Sequence, residues 1–221
     1  MKILAYTEPN GQGELITVYE ALRRRENDPD NWEQKIYYDI IRSRPMVAVK
    51  RITTEKDSSS FSFKGEAGGS HSRGSKGIAH ELAQDFLCKQ TQLNFSIFKK
   101  SFVADIEEAS DEVQIVDPNN TNKKAFVDVM LTLTQDCPIR EIFGPCLAIE
   151  ITDTHKNTNR KEKLFKDLDI SALEIRIPAD WHIPNLTTVT TRELERLKRR
   201  IAGFWRSEIY AHCIHALKRI T

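Results

Sequence analysis

The chain has 221 residues, of which 39% are hydrophobic and 29% charged, and 33 lysines and arginines nearly balance 32 aspartates and glutamates to leave a net charge of +1. That is the composition of a globular protein able to bury a sizeable core, as one domain or as one plus a small appendage. No apolar run approaches the roughly 20 residues of a membrane helix. The opening MKILAYTEPNGQGE has no apolar secretory stretch, and Cys88, Cys137, Cys146 and Cys213 show no CxxC spacing. Reduced thiols and a cytoplasmic location are therefore expected.

In chain order, residues 1–55 read as a small N-terminal module. KILAYT suggests a strand and NGQG a turn; Leu15, Val18, Tyr19 and Leu22 have helical spacing, and Val47, Val49 and Ile52 alternate like a strand. Residues 56–77, rich in Ser and Gly with Phe61 and Phe63 as the large apolar anchors, read as a linker. The segment 78–183 reads as an α/β core. It begins with a helix carrying Ile78, Leu82, Phe86 and Leu87, with Ser75 as its N-cap. Strands are expected over 96–106 and 112–116, then over 124–134 and 145–152, the most strand-like runs of the chain. A helix over 158–169 and a strand LEIRIP, stopped by Pro178, complete the core.

Residues 187–221 read as one long amphipathic helix, with Leu194, Leu197, Ile201, Phe204 or Trp205, Ile209, Ile214 and Leu217 on its apolar side. Eight basic residues against three acidic ones mark its other faces. Arg196, Arg199, Arg200 and Arg206 are candidates for contacts to a nucleic-acid backbone. The Leu194, Leu197, Ile201 stripe allows a homodimer through this helix. His212 and His215 bracket Cys213, but no fourth zinc ligand is in view. Trp181 and Trp205 read as packing anchors.

Two acids stand apart. Asp128 lies within FVDVML and Glu150 within CLAIEIT, each a lone carboxylate in an apolar, β-branched run. An unpaired buried charge costs several kcal/mol unless compensated. A shared divalent cation is a compensation that also has a use, since metal held by carboxylates at adjacent strand ends activates water and neutralises phosphate. Glu81, one residue after His80, is a candidate third carboxylate. Oxygen ligands favour Mg²⁺ or Mn²⁺ over zinc. Thr152, Asp153 and His155 form a polar turn that either shapes the site or caps the following helix.

The order of these elements resembles the PD-(D/E)XK nuclease superfamily, within it the competence-protein (CoiA-like) branch. The residues that carry the resemblance are Ser75 and His80 in SKGIAHELAQDFL, Asp128 in FVDVML, Glu150 in AIEITDTH and the helix KEKLFKDLDI running into LEIRIP. The resemblance implies a restriction-endonuclease-like mixed sheet flanked by helices, with a small N-terminal α+β module and a long C-terminal helix. It further implies a Mg²⁺-dependent nuclease acting on nucleic acid, DNA above all, in bacterial or phage DNA processing or defence. Asp128 and Glu150 would then be metal ligands and His80 a functional or site-orienting residue. Two departures stand out. The pattern's Lys or Gln two residues after the second acid is Thr152 here, so Lys156 or Lys163 would have to supply the missing cation. Relatives often carry N-terminal zinc-binding cysteine pairs, and this chain has no Cys before Cys88. The alternative is a catalytically inactive, nuclease-like protein that binds nucleic acid or acts as an interaction subunit.

Overall fold

The structure is a computed structural model that describes residues 2–29, 35–50, 59–65, 77–152, 159–183, 185–218 and 220. The chain is mixed α/β, with two sheets and five α-helices among the described residues. It divides into two compact units. Unit 1 comprises Met1–Leu82 and Asp180–Arg200, and unit 2 comprises Ala83–Ala179 and Ile201–Thr221.

Unit 1 is built on a five-stranded sheet. Strands β1 (Leu4–Tyr6) and β2 (Leu15–Thr17) precede helix α1 (Val18–Asn27); β3 (Tyr37–Tyr38), β4 (Pro45–Val49) and β5 (Ser60–Phe63) complete the order β2-β1-β3-β4-β5. The helix expected from the spacing of Leu15, Val18, Tyr19 and Leu22 thus starts later, because Leu15–Thr17 pairs with β1 first. The Thr17 hydroxyl then accepts the Glu20 N–H and caps α1. The NGQG turn is as expected, with Gly11 and Gly13 both at a φ of +71°, where glycine is the least strained residue. The segment expected as linker is corrected within 59–65. Ser60–Phe63 pairs with β4, and Phe61 is buried against Tyr37, ring centroids 5.2 Å apart. The apolar alternation of Phe61 and Phe63 outweighs the serines around them. Ile52 and Ser75 lie outside the described residues.

Unit 2 is a ring of six strands. After helix α2 (Ile78–Cys88), which crosses the boundary between the units, come β6 (Gln92–Ile97), β7 (Lys100–Asp117) and β8 (Asn120–Leu133), a short helix α3 (Arg140–Phe143), β9 (Cys146–Thr152), helix α4 (Asn159–Asp167) and β10 (Ala172–Arg176). Neighbours from β6 to β9 pair antiparallel, whereas β10 runs parallel to β9. Alternate residues of β6 (Leu93, Phe95 and Ile97) are buried, the period-2 pattern of a strand with one face inward. On β9 both sets are buried. Leu164 and Phe165 of α4 form a cluster with Ala148 and Ala172 that covers the outer side.

The C-terminal segment corrects the sequence reading most. Helix α5 (Thr191–Trp205) buries Leu194, Leu197, Ile201 and Trp205 as the spacing predicts, and the helix stops there. Residues 209–215 instead form a strand, β11 (Ile209–His215), which pairs antiparallel with β10 and parallel with β6 and so closes the ring. Two open strand edges that need a partner override the local helical period. The Leu194, Leu197, Ile201 stripe is already buried within the chain. Trp181 and Trp205 are buried as the sequence reading expected, and Trp205 packs on Phe86, ring centroids 5.9 Å apart. No helix among the described residues is long and apolar enough to cross a membrane.

Strand alternation makes a specific claim about adjacent positions in β11, where Ile209 is 0% and Tyr210 71% exposed. Ile209→Ala is expected to cost ~2–5 kcal/mol in urea unfolding, as large-to-small core changes do, and Tyr210→Ala to cost less than ~0.5 kcal/mol.

Candidate active site

Asp128 and Glu150 come from adjacent antiparallel strands of unit 2. Val129 pairs with Ile149 and Met130 with Ala148, so one further step of this register sets Asp128 opposite Glu150. Residues opposite one another project from the same face, with Cβ atoms ~4.5–5.5 Å apart. The regular ladder stops at this step, and there Asp128 Oδ2 accepts the Ile151 N–H at 2.9 Å. A side chain thus takes the place of a backbone carbonyl and ties the end of β8 to β9. From α2, Gln84 Nε2 donates to the Asp128 carbonyl at 2.8 Å and fixes the same residue's backbone.

Glu150 is 2% exposed, and its compensation is a residue the sequence reading did not single out. Lys161 Nζ of α4 donates to Glu150 Oε2 as a part-buried ion pair. Lys161 belongs to the helix face that carries Leu164, Phe165 and Leu168, three, four and seven positions on. That spacing was the available signal. Lys163 points to solvent from the same helix, and Lys156, Asp153 and His155 lie outside the described residues. Thr152 is buried, and its hydroxyl donates to the Ile175 carbonyl at 3.5 Å, the long limit of a hydrogen bond.

The same row continues around the ring. Glu150 pairs in register with Glu174 of β10, and Glu174 with His212 of β11. Beside it lies an open groove of about 840 Å³ lined by residues of β6, β7, β10, β11 and α4, Glu162, Glu174 and His212 among them. His212, Cys213 and His215 fall on this strand rather than on a helix, and His215 Nε2 lies 3.2 Å from Asp169 Oδ1.

The other sequence-derived candidates have separate settings. Glu81, in unit 1, is fully buried and accepts the Ile3 N–H at 2.8 Å and the Leu4 N–H at 3.1 Å through its two oxygens. Burial pushes its carboxyl up to about 7, against the opposing pull of Lys2 and the two N–H donors. His80, also in unit 1, is half-buried. Arg196, Arg199 and Arg200 are exposed on α5 and Arg206 just beyond it; Arg200 pairs with Asp180, and Arg199 Nε donates to the Glu195 carbonyl at 3.2 Å. No group of three or more His, Cys, Asp or Glu side chains that could hold a metal ion occurs among the described residues. The chain matches no protein-family model, no curated protein and no solved structure.

Asp128 and Glu150 nevertheless offer a donor set that suits Mg²⁺, which is commonly bound by one or two carboxylates together with waters and substrate phosphates. Removing the Lys161 ammonium leaves a buried carboxylate to compensate. Lys161→Ala is expected to destabilise the chain near the lower end of ~3–5 kcal/mol, because the ion pair is only partly buried. Millimolar Mg²⁺ should raise the melting temperature of Lys161→Ala more than that of wild type. It should leave an Asp128→Asn, Glu150→Gln protein unmoved; equal shifts in all three would remove the cation site.

Glu81 gives a pH test. Its folded value, about 7, lies above the unbound carboxyl's 4.5, so the folded state holds the proton more tightly. The stability this contributes is complete below pH ~4.5 and is lost as pH rises through ~7, in all about 3 kcal/mol. Glu81→Gln, which carries no titrating proton, is expected to flatten that fall in ΔG of unfolding measured from pH 4.5 to 7.5.

Proposed function

We propose that unit 2 is a Mg²⁺- or Mn²⁺-dependent nuclease of restriction-endonuclease-like architecture that hydrolyses phosphodiester bonds, DNA being the favoured substrate. The observation that carries this reading is the placement of two buried carboxylates, Asp128 and Glu150, on the neighbouring strands β8 and β9, with the Lys161 ammonium bound directly to one of them. The order of elements supports it. A helix (α2) precedes an antiparallel run (β7-β8-β9), and a second helix (α4) leads into a strand parallel to β9 (β10).

In this reading Asp128 and Glu150 hold the cation, which would supply charge neutralisation at the phosphate and a lowered pKa for the attacking water. The Ile151 N–H keeps the Asp128 carboxylate in its rotamer, and Gln84 keeps its backbone in place. Lys161 is the cation that the sequence pattern lacks at Thr152. Lys161, held at Glu150, would donate to a non-bridging phosphate oxygen as charge builds there. Thr152, with its hydroxyl turned to the Ile175 carbonyl, has a packing role. The exposed arginines of α5 would add salt-dependent backbone contacts.

A second reading, a silent nuclease-like binder, is favoured by one observation. Among the described residues no third metal-ligating side chain joins Asp128 and Glu150, and the lysine occupies one of them. Plasmid, single-stranded DNA and RNA incubated with Mg²⁺, Mn²⁺ or EDTA separate the two readings. Metal-dependent cleavage is expected from wild type, with Asp128→Ala and Glu150→Ala inactive and Lys161→Ala slower by roughly 10²–10³-fold, the loss typical of one electrostatic donor. Wild type that never cuts, or cuts equally after these changes, rules out the nuclease.

A further inference from the structure

The turn between β6 and β7 is made of two residues only, Phe98 and Lys99, since Ile97 pairs with Lys100. Both have positive φ, 51° and 65°, the conformation of a two-residue hairpin turn that strongly prefers Asn-Gly. A bulky aromatic in the left-handed region is an outlier and costs of order 1 kcal/mol or more. Burial does not compensate for it, because Phe98 is 66% exposed. A second large ring is close by. Tyr210, 71% exposed, pairs in register with Ser96, two residues before Phe98. Ser96 also pairs with Ser101 of β7, so two small side chains lie beside the rings. Phe98, Tyr210, Lys99 and Arg176 all line the groove that reaches Glu174, the register partner of Glu150.

We propose that this groove is a track for single-stranded nucleic acid, with bases stacked on Phe98 and Tyr210 and phosphates held by Lys99 and Arg176. Two freestanding rings beside two serines fit the faces of unstacked bases, which a duplex does not present. The groove's carboxylates are arranged compatibly. Glu208 accepts the Ser101 hydroxyl at 2.6 Å, while Glu162 adjoins Lys161 in sequence and Glu174 adjoins Glu150 in register. Glu162 and Glu174 thus lie toward Glu150, where a cation would mediate contact with phosphate, while Glu208 is tied to Ser101 beside the rings. The choice of a nucleic acid as occupant rests on the nuclease reading, to which this adds the single-stranded form of the substrate and the residues that select it.

The test is fluorescence anisotropy with a labelled mixed-sequence 12-nucleotide DNA, single-stranded and as a duplex, in EDTA and in Mg²⁺, with cleavage followed in parallel. Phe98→Asn suits the positive φ and removes the ring; Tyr210→Ser removes the second ring from an exposed position. Each is expected to weaken single-strand binding about tenfold, and the double variant about a hundredfold. Melting temperature should hold for Tyr210→Ser and hold or rise for Phe98→Asn. Wild type should prefer the single strand to the duplex. Absent single-strand binding in both conditions, preference for duplex, or ring variants that bind like wild type each overturn the proposal. Cleavage that is indifferent to both rings sinks the track and leaves the nuclease, whereas binding that follows the rings without cleavage does the reverse.

Discussion

The charge of Glu150, buried in the middle of a strand covered on both faces, sets the terms for everything around it. A carboxylate at 2% exposure is tolerable only if a compensating group is brought to it, and that group is Lys161. Lys161 can arrive only if α4 lies across the outer side of β9, and Leu164 and Phe165 hold it there against Ala148 and Ala172. The parallel placement of β10 follows from the same crossover, because a strand that returns through a helix to the same sheet re-enters beside its predecessor in the same direction. An apolar pair of equal volume would hold this helix at least as well. Keeping an acid and a base there is what the proposed site chemistry would require.

Three buried carboxylates show how the partner decides the role. Glu81 spends both oxygens on the main-chain N–H groups of Ile3 and Leu4, which are fixed by the fold and cannot be displaced without opening the end of β1. It is a structural acid. Asp128 gives one oxygen to the Ile151 N–H, a fixed donor that also orients the rest of the carboxylate. Glu150 faces the end of a four-carbon chain that can swing away and whose charge a divalent cation can replace. The exchangeable partner sits where the proposed chemistry needs an exchangeable ligand.

Much of this was legible in the residues, and the illegible parts have identifiable causes. The strands carrying Asp128 and Glu150 could be read because a lone charge in a β-branched run is conspicuous, and local alternation agrees with the sheet. Glu81 could not be assigned its role, since its partners lie 78 and 77 positions away and amphipathic spacing shows only which face is apolar. Lys161 was legible only through the helix face it shares with Leu164 and Phe165, because the sequence alone does not show which lysine that face turns toward Glu150. Residues 209–217 happen to place Ile209, Ile214 and Leu217 where a continued helix would want them. The strand emerges only from the two edges, β6 and β10, that it joins.

The turn at Phe98 was hidden for a different reason. Sequence reading finds tight hairpins by Asn and Gly, and a strand over 96–106 therefore ran straight through residues 98 and 99. When a turn omits the residues that make turns easy, local preference and global fold disagree, and in natural chains such disagreement concentrates at sites kept for something other than stability. Here the disagreement places an aromatic ring and an ammonium at the exposed lip of the groove that leads toward Glu150. Phe98→Asn would suit the positive φ at that tip, so the strain there is the observation from which the proposed track is argued.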